Sequence, residues 1–180
     1  MSIIVITPFQ YAAPISYDAD VQTMLDARAA ISDPTGAAYA QAISDYVVAL
    51  KAVSGLWADI TQLVVPAGAT TIAGAIIAIK GNNLTGTNMV NGDVALKTGI
   101  KGNATDKSLS TGYAGNYTGS AQNDHHAYMY VTEAPTGTQP IFGAGGAAVG
   151  ATAFHWNSFT RSRTNASTET VSSTATGGYG

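Results

Sequence analysis

The sequence predicts an α+β protein: a short N-terminal helical region followed by an antiparallel β-sandwich of jelly-roll type. Three observations support this fold class. Apolar residues recur at three- and four-residue spacing up to about residue 60, which is typical of amphipathic helices. Beyond residue 80, short apolar stretches alternate with turns rich in glycine and asparagine, as in β-sandwiches. With 180 residues, 46% of them hydrophobic, the chain can form a core.

Composition excludes several classes of protein. Only 11% of the residues are charged, the net charge is −3, and cysteine is absent. Eight lysines and arginines spread along the chain leave no basic surface for nucleic acid. The absence of cysteine excludes a disulfide scaffold, a thiol nucleophile and a cysteine-ligated zinc site. No apolar run is long enough to insert into a membrane.

The first helix is predicted after Pro14. Ser16 or Asp18 can cap it, and the acidic residues Asp18 and Asp20 suit the positive end of its dipole. Residues 32–36 should end it, because the residue before a proline avoids helical geometry. Its apolar positions are Val21, Met24, Leu25 and Ala29.

A second helix is predicted from Ala37 to Ser54, with Gly55 as a left-handed cap. Leu56, Trp57 and Ile60 then indicate a short helical turn. The second helix should present one apolar stripe, made of Tyr39, Ile43, Tyr46, Val47, Leu50 and Val53.

Strands should follow. Residues 62–65 predict a short strand that ends at Pro66, whereas residues 71–79 fit a buried strand or a short helix equally well. In the stretch 125–132 polar and apolar residues alternate, as in a half-buried strand. The last four residues, 177–180, resemble a turn. The remaining predicted strands are 107–113, 140–142, 151–160 and 169–173.

The first residues of the chain are apolar but lack the positive flank of a signal peptide. This favours a short buried strand. The alternative is an arm that docks on a neighbouring subunit, and its assembly contacts would then be Ile3, Ile4, Val5, Ile6 and Phe9.

Three stretches, at 43–60, 67–81 and 97–113, together resemble virion proteins of phages and prophages. The closest likeness is to tail fibres that carry a laminin-G, concanavalin-like jelly roll. Gly102 to Tyr113 resembles the strand that opens that sandwich, and residues 123–131 resemble the long core strand after it. The resemblance covers residues 36–180.

The resemblance implies a structural virion protein, located in the phage tail and extracellular. Residues 1–66 would form the virion-attachment region, and residues 67–180 would form the N-terminal part of the sandwich. Its partners would be other copies of the chain, by analogy in a homotrimer, other tail or baseplate proteins, and a host-surface glycan. The alternatives are a capsid decoration protein and a secreted carbohydrate-binding or carbohydrate-active protein.

A complete jelly roll of this kind has about a dozen strands. Only five or six are predicted between Lys97 and Gly180. We therefore expect the chain to be part of a longer fibre, or other subunits to complete the sheet, since an open sheet edge must be covered.

No enzymatic activity is predicted. His125 and His126 point to opposite faces of a strand, and no nucleophile motif accompanies them or His155. The run Gly143–Gly150 lacks the ending of a phosphate-binding loop. No cofactor is expected, although Asp106 or Asp124 could take part in a calcium site.

Glycan binding is the chemistry that the β-rich part favours, because sugars stack on aromatic faces. Among the aromatic residues there, including Tyr128 and Tyr130, the candidate glycan-binding set is Tyr113, Tyr117 and Trp156, with Asn116 as a hydrogen-bonding partner. The competing interpretation places each aromatic residue in the core, where aromatic residues of strands usually lie.

Overall fold

The protein is seen here in a computed structural model that describes most of its first 112 residues and six later segments. The described ranges are 15–103, 105–112, 129–132, 139–143, 153–156, 159–163, 170–173 and 177–179. These residues form a few helices and several small antiparallel sheets. The α+β class that the sequence predicts is therefore confirmed.

Helices occupy the first half of the described chain. They are α1 (Ala19–Ala30), α2 (Ala37–Ala52), α3 (Leu56–Asp59) and α4 (Ile72–Ala75), and a 3₁₀ turn spans Asn91–Asp93. Within the described ranges, no helix has the length and apolar character that crossing a membrane requires.

Four antiparallel pairs contain two strands each. They are β1 (Leu63–Val64) with β2 (Ala78–Lys80), β3 (Thr85–Thr87) with β6 (Ser108–Ser110), β4 (Val94–Ala95) with β5 (Gly99–Ile100), and β7 (Met129–Val131) with β12 (Gly177–Tyr179). A fifth sheet is a four-stranded meander of β8 (Gln139–Gly143), β9 (Ala153–Trp156), β10 (Phe159–Arg163) and β11 (Thr170–Ser173).

One open alternative is decided by the structure, and two strand predictions need correction. Residues 71–79 are both a helix and a strand, because Thr71 caps α4 and β2 follows after two residues. The stretch 151–160 is divided between β9 and β10. Residues 177–179 form β12 rather than a turn, because they pair with β7. In this pairing Gly177 lies opposite Val131, which is 46 residues earlier in the chain.

Helix α1 begins where the sequence predicts. Asp18 is the cap: its carboxylate accepts the N–H of Asp20 at 3.0 Å. Val21, Met24 and Leu25 are buried as predicted, but Ala29 is exposed and its neighbour Arg28 is fully buried instead.

Helix α2 buries a narrower face than predicted. Ala40, Ile43, Ser44 and Val47 are buried. Tyr46 is 43% exposed and Val53 is 54% exposed, so placing these two in the core stripe was wrong. The reason is geometric, because consecutive residues of a helix are about 100° apart and Tyr46 directly precedes the buried Val47. Gly55 has the predicted left-handed conformation, with φ of 81°, but it is the N-cap of α3, whereas the C-cap of α2 is Val53.

The hydrophobic core joins both long helices to the first β-pair. The buried cluster consists of Val21, Met24, Leu25, Ala40, Ile43, Val47 and Ile79. Leu63, Val65 and Ile77 pack against it. Residues 15–80 therefore form one packed unit that crosses position 66, where the sequence changes from helical to β-rich texture.

Arg28 lies inside this unit with no exposed surface. Its Nε donates to the carbonyl oxygen of Gly74 at 3.0 Å, and its Nη2 donates to that of Val65 at 2.7 Å. Its Nη1 donates to the hydroxyl of Thr35 at 3.0 Å and to the carbonyl oxygen of Ala67 at 3.1 Å. Burial lowers the pKa of Arg28, and the nearby Asp33 carboxylate partly offsets this effect. The guanidinium thus fastens residues 65–74 to α1.

Asp33 is the second buried charge and is only 1% exposed. Its carboxylate accepts four groups of two adjacent residues: the N–H and the hydroxyl of Thr70, and the N–H and the hydroxyl of Thr71. Burial acts to raise the pKa of Asp33, but these donors outweigh it and hold the pKa below its usual value. The Thr71 hydroxyl also accepts the N–H of Gly74 at 3.1 Å, which caps α4.

Gly74 is a glycine because of Asp33. A Cβ at this position would lie 2.1 Å from Oδ2 of Asp33. The carboxylate cannot retreat from it without losing its bonds to Thr70 and Thr71. The close approach of the Asp33 carboxylate, rather than the backbone conformation, therefore requires glycine at position 74.

We expect Gly74→Ala to destabilise the protein by about 1–3 kcal/mol, the usual cost of overpacking. Alanine within a helix normally stabilises by up to about 1 kcal/mol relative to glycine, so the sign distinguishes the clash from helix propensity. Urea unfolding followed by circular dichroism measures the change. The control is Gly92→Ala, where a Cβ would meet no atom within 4 Å, and stability there should stay within about 0.5 kcal/mol. A Gly74→Ala variant as stable as the parent would contradict this account.

Candidate functional site

Only one member of the predicted glycan-binding set lies in the described part of the chain. Trp156 is the last residue of β9, in register with Thr160 of β10 and Gln139 of β8. Tyr113, Asn116 and Tyr117 lie outside the described residues, and so do the predicted assembly contacts Ile3, Ile4, Val5, Ile6 and Phe9. These sets remain predictions.

An aromatic residue outside that set is well presented. Tyr130, at the centre of β7, is 66% exposed. Its cross-strand partner in β12 is Gly178, which has no side chain to cover the ring. The alternation in residues 125–132 is the signal that pointed to this strand. Tyr130 therefore offers a flat aromatic surface on which a sugar can stack.

The strand that presents Tyr130 is also tied to the earlier part of the chain. Thr132, directly after β7, donates its hydroxyl to the carbonyl oxygen of Thr98 at 2.9 Å. Thr98 lies in the turn between β4 and β5. Position 130 is thus held near the small strands of residues 94–100.

Asp106, a candidate calcium ligand, binds neighbouring amides in the structure. Its Oδ1 accepts Nδ2 of Asn103 at 2.6 Å, and its Oδ2 accepts Nδ2 of Asn88 at 3.1 Å. Asp124 lies outside the described residues. Among the residues that are described, no three His, Cys, Asp or Glu side chains form a group that could hold a metal ion. Asp106 here joins two loops.

The same loop region contains a charged pair. Lys107 Nζ lies 2.6 Å from Oδ1 of Asp93, and the N–H of Val90 donates to Oδ2 of Asp93 at 2.7 Å. The hydrogen bond from Lys107, together with the one from Val90, lowers the pKa of Asp93. Lys107, which directly precedes β6, is thereby fixed to the 3₁₀ turn.

A second charged cluster lies at the start of α1. Lys51 Nζ is 2.8 Å from Oδ1 of Asp18 and 2.5 Å from Oδ2 of Asp20. It also lies 4.8 Å from the centre of the Trp57 ring, and Lys80 Nζ lies 5.1 Å from the same ring. Lys80 donates in addition to the carbonyl oxygen of Trp57. The cluster links α1, α2, α3 and β2.

Charge pairing shifts the pKa values in this cluster. Partial burial acts to raise the pKa of Asp18, but hydrogen bonds from Lys51 and from the N–H of Asp20 lower it further than burial raises it. For Lys51, burial acts to lower the pKa, and the two carboxylates together raise it above its usual value. Sequence reasoning placed Asp18 and Asp20 in the first turn but had no signal for Lys51, more than 30 positions away.

A shallow groove of about 270 Å³ lies between α1 and α2. Tyr17, Leu25, Pro34 and Ala40 are among its lining residues. Its one lining carboxylate, Asp26, already accepts the side-chain amide of Gln22, another residue of the same α1. The groove is mainly apolar and presents no acid–base pair.

Asp18→Asn should lower stability by less than about 1 kcal/mol at pH 7, because asparagine caps a helix as well as aspartate and only the attraction to Lys51 is lost. Since the folded pKa of Asp18 lies below its ordinary 3.8, the contribution of this charge is present above about pH 5 and is lost as the pH falls through the lowered pKa.

Urea unfolding of parent and variant between pH 7 and pH 2 measures this contribution. The difference between the two proteins should shrink as the pH falls towards 2, because the parent carboxyl becomes protonated as the pH passes through its lowered pKa. A difference of the same size at every pH would show that Asp18 acts through its shape alone.

Comparison with known proteins adds no relative: no family model, no curated protein and no solved structure matches this chain. An assignment of function therefore depends on the residues and contacts described above.

Proposed function

We propose that this chain is a structural virion protein of a bacteriophage, a tail fibre subunit that displays a β-sandwich for recognition of a host-surface glycan. The observation that carries the proposal is the stretch from Gly102 to Tyr113, which resembles the opening strand of the lectin-like sandwich in tail fibres. In the described structure its central residues form β6.

The surface around β6 supports a role in display. All six residues of the β3–β6 pair are exposed, and four of them are serines or threonines. Lys107, beside this pair, has its charge matched by Asp93. A two-stranded ribbon covered by small hydroxyl side chains can contact water or a neighbouring polymer without removing an unpaired charge from water.

The later strands support a sandwich. The β7–β12 pair is formed by residues on either side of the β8–β11 meander, so one stretch of chain contributes to two antiparallel sheets. Two sheets of this kind, facing each other, are the framework of a β-sandwich.

The proposed partners follow from this role. Residues 1–66 attach the chain to tail or baseplate proteins, and copies of the chain associate with one another, in a trimer by analogy with other fibres. The exposed ring of Tyr130 supports a glycan-binding surface on the β-rich part. The proposal contains no catalytic step.

Electron microscopy of phage particles labelled with an antibody to this chain tests the location. The tail fibre proposal requires label on the tail. Label spread over the head would instead favour the capsid decoration protein, and label confined to the culture fluid would favour a secreted protein.

We expect the chain to bind surface polysaccharide purified from the host bacterium and Tyr130→Ala to weaken that binding about 2- to 13-fold, since one aromatic contact contributes about 0.5–1.5 kcal/mol. Tyr130→Phe is the matched control, because it keeps the ring and removes only the hydroxyl. Isothermal titration or biolayer interferometry measures the affinities.

Two results would count against the glycan proposal. One is an Ala variant that binds as tightly as the parent, which would remove Tyr130 from the surface. The other is the release of reducing ends from the polysaccharide, which would make the chain an enzyme.

A further inference from the structure

Helix α2 has an apolar face on the side away from the core. Ala42, Tyr46 and Ala49, with Val53 at the C-cap, follow one another at spacings of four, three and four residues, and all four are exposed. We call these residues the outer stripe. Ala38, one turn earlier, is exposed on the same side. A helix that is apolar on two faces normally has both of them covered.

The charges of α2 do not lie in the outer stripe and are already matched. Asp45, along one border of the stripe, accepts the side-chain amide of Gln41 at 2.8 Å. Lys51 lies on the core side of the helix and is held by Asp18 and Asp20. The outer stripe itself contains no charge, so two copies of it can meet without like charges opposing each other.

The spacing indicates what covers the outer stripe. Apolar residues at alternating spacings of three and four form the seam between two helices that cross at a small angle. Among the described helices, α3 and α4 have four residues each, and α1 exposes polar residues such as Gln22 and Asp26 while its apolar side packs on α2. Of the described helices, α2 itself has an exposed apolar face that can pack on the outer stripe, so the partner is α2 of a second copy.

We propose that neighbouring copies of this chain associate through their α2 helices, parallel and in register, along the outer stripe. The small side chains of Ala42 and Ala49 let the two backbones approach closely, and Tyr46 and Val53 fill the space between these contacts. The proposal rests on the homo-oligomeric fibre proposed above, where all copies attach by the same end, which sets the parallel orientation.

Single-cysteine variants test this contact directly, because the natural chain contains no cysteine. In a parallel pair in register, residue 49 of one copy faces residue 49 of the other, within the 4.4–6.8 Å between Cα atoms that a disulfide spans. Ala49→Cys should therefore form a disulfide-linked dimer under mild oxidation, as seen on a non-reducing gel.

The matched control is Val48→Cys. Val48 is 53% exposed on the same helix but lies about 100° away from Ala49 around the axis. It should cross-link at least ~10-fold more slowly than Ala49→Cys. Equal rates would overturn the outer stripe as a contact, and so would cross-linking of Ala49→Cys only to Ala42→Cys chains, which would mean antiparallel helices.

A second variant pair measures self-association without any cross-link. Ala49→Glu places a charge in the seam and should weaken self-association at least ~10-fold, whereas Val48→Glu should not. Light scattering over a range of concentrations measures the mass, and urea unfolding checks that both variants fold.

The results separate this inference from the proposed fibre. A parent chain that stays monomeric at every concentration would overturn both. A parent oligomer that Ala49→Glu leaves intact would overturn the α2 contact and keep the homo-oligomer.

Discussion

The burial of Arg28 is the constraint on which the described fold depends. A guanidinium without exposed surface must have its donors satisfied, because an unpaired buried charge costs several kcal/mol. Three of its four acceptors are the carbonyl oxygens of Val65, Ala67 and Gly74. The position of the guanidinium therefore fixes the backbone path of the irregular segment between β1 and α4. Asp33 then accepts the next donors of that segment at Thr70 and Thr71. Since the segment joins β1 to β2, the same contacts place the first β-pair against the helices.

From this centre outward, the contacts change in kind. The core unit of residues 15–80 combines apolar packing with buried charges. The loops around Asn88 and Asp93 are held instead by side chains of asparagine, aspartate and lysine at part-buried or exposed positions. The β3–β6 pair beyond them is exposed on all of its residues. The described buried residues therefore lie in residues 15–80, and the β3–β6 pair carries a surface that suits contact with something outside the chain.

Local features of this fold could be predicted from the sequence, and long-range ones could not. The cap at Asp18, the left-handed Gly55 and the two long helices depend on neighbouring residues alone. Burial of Arg28 depends on acceptors 37–46 positions away, which no local pattern indicates. Helical periodicity likewise identified the apolar residues of α2. It could not separate the core face from the outer stripe, because Val47 of the core face and Tyr46 of the outer stripe are consecutive in the sequence. At the candidate site, alternation pointed to the strand of Tyr130, whereas its exposure depends on Gly178, a partner 48 residues later.

The low charge content acquires a physical meaning from these contacts. A soluble protein ordinarily uses its charged residues to cover its surface and to keep copies apart. Here Arg28 and Asp33 are buried, Lys51 is paired with Asp18 and Asp20, and Lys107 is paired with Asp93. The charges that remain cannot cover the surface, which leaves the apolar outer stripe on α2 and the hydroxyl-rich ribbon of β3 and β6. A surface of this composition offers little electrostatic resistance to association, which supports the proposal that copies of this chain assemble.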